Sequence, residues 1–135
     1  MIVLDSSFLI AYYNSRDVHH AQAARMMIQL IGGKWAQGLL LEYVFLETVT
    51  VLRARLDVKV AATVGTTLLN AREIDFVPCS EIFSDAFDTF RRDRSHGLSF
   101  VDAAIVYVAR RNSPGLVATF DEDFRSLKGV TMATA

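Results

Sequence analysis

The chain opens MIVLDSSFLIAYY over residues 1–13, and the order of parts in that stretch sets the architecture. Ile2 to Leu4 is a short apolar run rich in β-branched side chains, the pattern of a buried strand. Asp5 closes it, and Ser6 or Ser7 can cap a helix carrying Phe8 to Tyr13. The alternation then repeats along the chain. Asp17 caps a second helix reaching about Ile31, where Gly32 and Gly33 stop it. Leu39 to Leu41 reads as a strand, Tyr43 to Arg55 as a helix, and Asp57 starts a further helix ending near Arg72. Ile74 to Val77 is a strand closed by Pro78. Ser80 opens a helix with Ile82, Phe83, Ala86, Phe87 and Phe90 on one side, a spacing of helical period. Ser99 opens the next, with Ala103, Val106 and Tyr107 inward, and Pro114 and Gly115 end it. Leu116 to Phe120 is a strand, a short helical turn follows, and Val130 to Met132 forms a last edge strand.

Strands alternating with helices predict an α/β fold with a mainly parallel central sheet flanked by helices in three layers. With 135 residues, 52% hydrophobic and 21% charged, the chain is one domain, residues 1–135, able to build a sizeable core. Mean hydropathy is +0.28. This richness, with Phe8, Tyr12, Tyr13 and Trp35 near short elements, predicts apolar surface left over for a partner face. The most apolar stretch, Gly38 to Leu52, is broken by Glu42 and Glu47 and falls short of a membrane span. The start, MIVLD, lacks the basic region of a secretory signal, which predicts a cytoplasmic protein. A single cysteine, Cys79, excludes an internal disulfide and a thiolate metal cluster.

Net charge is −1, and Arg supplies eleven of the fourteen cations. Several cluster: Arg53 with Arg55; Arg91, Arg92 and Arg94; Arg110 with Arg111. Each cluster reads as a solvated helical face or as a set of phosphate contacts, for which Arg is the better residue. His19 and His20 are adjacent on a helix, so they cannot both reach one metal from it; they read as solvated or capping residues. His96 reads as a loop residue or a nucleic-acid contact.

Four acids stand out. In parallel sheets, ligands bind beyond the carboxyl ends of strands, and Asp5 and Asp121 both follow strands. Glu47 has Tyr43, Val44, Thr50 and Val51 at helical offsets, and Asp102 has Leu98, Ser99, Ile105 and Val106. Both carboxylates are thus expected among mostly apolar neighbours, where a charge is costly unless paired or bound to metal. Simpler roles exist for each: an N-cap for Asp5, a capping box with Ser99 for Asp102, and a helix-start acid for Asp121. Taken together, four such acids suit a hard cation, since Mg²⁺ and Mn²⁺ prefer oxygen ligands. Without those four the net charge would be +3 rather than −1, a balance that can hold a polyanion.

Four segments carry a family resemblance: MIVLDSSFLIAYY, VFLETVTVLRAR at 44–55, GLSFVDAAIVYVARR at 97–111, and ATFDEDF at 118–124. In order and spacing they resemble PIN-domain proteins, and the size resembles the VapC-like toxins of toxin–antitoxin pairs. The resemblance implies a PIN-like α/β fold and a Mg²⁺-dependent ribonuclease, with Mn²⁺ as a possible substitute. It places the metal-binding and catalytic acids at Asp5, Glu47, Asp102 and Asp121. Glu42 is the rival of Glu47, and Asp123 is the rival or helper of Asp121. Ser6 and Ser99 match the family's small hydroxyl residues beside the first and third acids. Arg91, Arg92 and Arg94 are candidates for RNA phosphate contact. The implied partners are RNA, a cognate antitoxin and a second copy of the chain. Two other readings of the same residues stay open. One is a non-catalytic PIN-like scaffold for RNA or protein. The other is a metal-dependent phosphatase, although Ser7 occupies the second acidic position of an Asp-x-Asp-x-Thr start and there is no Gly-rich phosphate loop.

Overall fold

The computed structural model describes residues 1–135. Ile2–Leu4 forms β1, and all three residues are buried. Asp5 then leaves the strand and caps α1, Ser6–Tyr13, accepting from the Ser6 amide. α2 spans His20–Ile31 and ends at Gly32 and Gly33, the latter with φ of +84°. It begins three residues after Asp17, whose carboxylate instead accepts from the His19 amide and shapes the entry turn.

β2, Gly38–Leu41, is wholly buried. Each of its leucines withdrawn from water stabilises the fold by roughly 1.5–3 kcal/mol. It passes directly into α3, Glu42–Arg55, and Asp57 caps α4, Val58–Asn70, through the Val60 amide. β3 is Ile74–Val77 and α5 is Cys79–Arg92. α5 starts one residue before the expected Ser80, and its Cys79 amide donates to the Glu42 carboxylate at 2.9 Å. α6, Phe100–Arg110, begins with the capping box of Ser99 and Asp102. β4 covers only Leu116–Ala118, a short turn follows at Glu122–Phe124, and β5 is Thr131–Met132.

The five strands form one sheet in the order β3-β2-β1-β4-β5, every pairing parallel, and six helices flank it. This is the expected architecture. The order changes direction between β1 and β4, because β1 leads outward to β2 on one side while β4 and β5 extend the other. Chains leaving two such neighbouring strands diverge, opening a crevice at the carboxyl edge. Asp5 and Thr119 stand at that edge, joined through the bond from the Asp5 amide to the Ala118 carbonyl.

Two expectations about apolar faces need correction. On α5 only Ile82 and Ala86 are buried, while Phe83, Phe87 and Phe90 are exposed. A helix packed on one side buries a stripe about 100° wide, and the three phenylalanines lie beside it. Phe83 and Phe90 each lean on Phe100 of α6. Conversely, Phe8 is fully buried, and Tyr12, Tyr13 and Trp35 pack against the core. The surplus apolar surface therefore lies on α5, at Val18, Ile28 and Ile31 in and before α2, and at Leu46, Val58, Leu69 and Phe76 among others. No helix is long and apolar enough to cross a membrane.

Candidate active site

Asp5 is the best-held acid of the chain. One oxygen accepts from the Ser6 amide at 2.8 Å; the other accepts from the Ser7 hydroxyl at 2.8 Å and the Thr119 hydroxyl at 2.7 Å. Burial pushes its pKa above the ordinary carboxylate value, while these bonds and the Ser6 amide pull it back, and the charge of Glu47 adds to the rise. The carboxylate is thus oriented but short of countercharge.

Asp102 is the N3 residue of α6. Its amide donates to the Ser99 hydroxyl at 3.1 Å, and its Oδ2 accepts from the Ser99 amide at 3.4 Å. Its other oxygen has no protein partner, and partial burial raises its pKa against the opposing pull of Ser99. The charges of Asp5 and Asp121 raise it further, so the three carboxylates feel one another. Asp121 caps the turn at Glu122–Phe124 by accepting from the Asp123 amide at 2.9 Å, and its own amide donates to the Thr119 hydroxyl.

Glu47 lies on the rim. Contrary to the sequence expectation it is exposed rather than set among apolar side chains. On α3 the buried line runs through Val44, Thr48 and Leu52, and Glu47 sits at its edge, where the crevice leaves it uncovered. It shares a cavity of about 340 Å³ with Ser7, His19, Arg55, Phe120 and Asp121. Glu42 points elsewhere, bonded to the start of α5. Asp123 is exposed and contributes its amide to Asp121.

The structure therefore brings Asp5, Glu47, Asp102 and Asp121 to one edge, and none of them is paired with a cation. The set offers oxygen donors only. No group of three such side chains yet stands close enough to enclose an ion. Mg²⁺ does not require that, since it keeps several waters and uses one or two carboxylates. Like charges gathered without a counterion, one of them buried and raised in pKa, fit an arrangement completed by a cation.

Several residues fall differently from the sequence expectation. Ser99 is in place as the partner of Asp102, but beside Asp5 the hydroxyl is that of Ser7, and Ser6 gives its amide. Thr119, 3% exposed, was not singled out, and it links Asp5 to Asp121. The only sequence signal for it was its place near the end of an apolar strand. The arginines expected at phosphates sit apart: Arg91 and Arg92 both pair with Asp88 at 2.6 and 3.1 Å. Arg92 and Arg94 line a separate cavity with His96 and Arg110. The cation within the acidic cavity is Arg55.

The chain is similar to known proteins over most of its length. The PIN domain family matches residues 2–130. A VapC ribonuclease of Archaeoglobus fulgidus is 25% identical over 126 residues, covering 90% of this chain and 78% of that protein. The crystal structure of VapC20 from Mycobacterium tuberculosis, a sarcin-ricin loop cleaving toxin, matches over 100% of both chains. Its TM-score is 0.85 and its identity 23%, a likeness of fold.

Proposed function

The chain belongs to the PIN-domain family, and on that premise we propose that it is a Mg²⁺-dependent endoribonuclease, the toxin of a toxin–antitoxin pair acting in the cytoplasm. The observation that carries this is the convergence of four unpaired carboxylates, Asp5, Glu47, Asp102 and Asp121, at the crevice between β1 and β4. The name of the archaeal relative, a VapC ribonuclease, supports the reaction class.

Of Asp5, Asp102, Asp121 and Glu47, one or two carboxylates would hold Mg²⁺ or Mn²⁺ directly and the others would hold its waters. When bound, the ion supplies charge neutralisation on the phosphodiester and a more acidic water. The chain's own groups do the rest. Ser7, Thr119 and the Ser6 amide fix Asp5, and Ser99 fixes Asp102, so neither needs to reorganise as charge develops. The Glu47 carboxylate accepts no hydrogen bond in the protein and is free to take the proton of the attacking water. The water oxygen bonds to phosphorus, the bond to the leaving ribose oxygen breaks, and that oxygen takes a proton from solvent.

Arg55 is placed to hold a flanking phosphate, a contact that positions without reading sequence. The exposed phenylalanines of α5 support association, and a symmetric homodimer is the commonest closed form. The antitoxin is a protein with an apolar tail and a basic side chain that enters the acidic crevice. The test is cleavage of RNA in Mg²⁺ against EDTA, for wild type and Asp102→Asn. Cleavage in Mg²⁺ by wild type only is expected. EDTA-resistant or variant-resistant cleavage refutes the assignment.

A further inference from the structure

His19 has no part in the metal chemistry, yet it lines the same cavity as Glu47 and Asp121. Its ring lies flat on that of Phe120, with centroids 4.4 Å and planes 4° apart. The two come from the entry to α2 and the exit of β4, and both are tied down. The His19 amide donates to Asp17 at 2.8 Å, and its carbonyl accepts from Ala23 at 2.9 Å. The Phe120 amide donates to the Ser7 hydroxyl at 3.0 Å, the same hydroxyl that donates to Asp5. The ring pair is thus in fixed register with Asp5 and one residue from Asp121. Phe120 is half-buried beneath it, while His19 is exposed. One face of the imidazole rests on Phe120, and the exposed ring lines the cavity. Arg55, in the same cavity, enters no salt bridge.

A flat ring beside a phosphate-cleaving edge is suited to a nucleobase, because every base has a π-face that stacks on aromatic side chains. We propose that the outer face of His19, backed by Phe120, is the stacking platform for one unpaired base next to the scissile phosphate, with Arg55 on the adjoining phosphate. This rests on the ribonuclease function proposed above and adds to it a residue that positions the substrate, one that needs an unpaired base. Within an A-form duplex the bases remain stacked on one another, and none is free to lie on His19.

The test uses the full chain and a short single-stranded oligoribonucleotide carrying 2-aminopurine, whose fluorescence falls on stacking. Binding is read in Mg²⁺ with Asp102→Asn as the uncut background, and cleavage is read with wild type. Quenching on binding is expected. His19→Ala should remove it, weaken binding about 5- to 100-fold and raise KM with little change in kcat. His19→Tyr, which keeps a flat ring, should retain both quenching and affinity. His19 is exposed, so the unfolding midpoint of His19→Ala should fall by no more than the loss of its stacking on Phe120. Unchanged affinity and quenching in His19→Ala, with wild-type RNA cleavage intact, overturns the platform and leaves the nuclease function standing. Equal binding of duplex RNA overturns the stacking of an unpaired base on His19. Failure of wild type to bind or cleave RNA overturns both.

Discussion

Thr119→Val is the sharpest probe of how the site is held. Valine has nearly the shape of threonine, so the change removes the hydroxyl without opening a cavity. That hydroxyl donates to Asp5 at 2.7 Å and accepts from the Asp121 amide at 3.0 Å, in a residue 3% exposed. A hydrogen bond to a charged group contributes about 1.5–3 kcal/mol and one between neutral groups about 0.5–1.5 kcal/mol. The Ser7 hydroxyl, 3.1 Å from that of Thr119, keeps its own bond to Asp5 and limits the loss. The expected destabilisation is therefore about 2–4 kcal/mol at neutral pH.

Its pH dependence has a definite sign. Burial already raises the Asp5 pKa above the ordinary 3.8, and the Thr119 bond opposes that rise. Ionising Asp5 in the folded state thus costs stability as pH climbs through the raised folded value. Without Thr119 the folded value rises further and the penalty at neutral pH grows. The gap between variant and wild type should widen from acid to neutral pH. Urea unfolding in EDTA measures it, and at an m-value of about 2 kcal/mol/M the midpoint should drop by about 1–2 M at neutral pH. Ser7→Ala and the double variant complete a cycle whose coupling should exceed about 0.5 kcal/mol. A Thr119→Val protein within about 0.5 kcal/mol of wild type, or a gap that does not change with pH, refutes the account of Asp5.

Glu47→Gln should abolish RNA cleavage and leave the unfolding midpoint unchanged. Glu42→Gln should keep activity and lose about 1 kcal/mol, because its carboxylate caps the Cys79 amide; the opposite pattern would exchange their roles. Gly115→Ala should destabilise by more than about 3 kcal/mol, since a Cβ there would lie 2.1 Å from the Gly129 carbonyl oxygen at a φ of +81°; an unchanged urea midpoint would contradict that close approach. Asp93 is held at a pKa of about 2 by the Leu98 amide foremost and by His96. Its stabilisation is complete above the ordinary 3.8 and fades as pH falls through about 2. The stability difference between wild type and Asp93→Ala should shrink across that window, and a constant difference would count against it. Affinity for the antitoxin proposed above should weaken as Mg²⁺ rises and lose that dependence in Asp102→Asn. Titration calorimetry insensitive to both would mean that the partner covers the RNA path without entering the acids.

Much of the fold was legible because its signals are local. A three-residue apolar strand, an acid and a hydroxyl-capped helix need only adjacent residues, and Asp57 and Ser99 cap as their spacing predicts. What was not legible depends on contacts far apart in sequence. Ser7 and Thr119 meet at Asp5 across most of the chain, and no periodicity marks that meeting. Neither does any local pattern announce that His19 will lie on Phe120. The exposure of Glu47 and of the α5 phenylalanines failed for a related reason. A hydrophobic stripe says how many apolar residues a helix carries, while the width of the neighbouring element decides how many it covers.

For the acids, the structural and the catalytic explanations are not competitors. Asp5 and Asp102 do cap helices, as their sequence contexts allow. In a parallel sheet, however, a helix following a strand starts at the carboxyl edge, where the site lies. A capping carboxylate there is held by backbone amides at one oxygen and presents the other to the crevice. Asp102 does this, with one oxygen on the Ser99 amide and one without a protein partner. The partial positive charge at a helix start also favours an anion, which offsets some of the repulsion of gathering several. On the proposed function the cap would fix the ligand before any ion arrives, and the same geometry that makes Asp102 explicable as a cap would make it usable as a ligand. Replacing it by Asn separates the two, because the amide oxygen still caps while the charge is gone. A variant that folds as wild type and no longer cleaves is the outcome this duality requires.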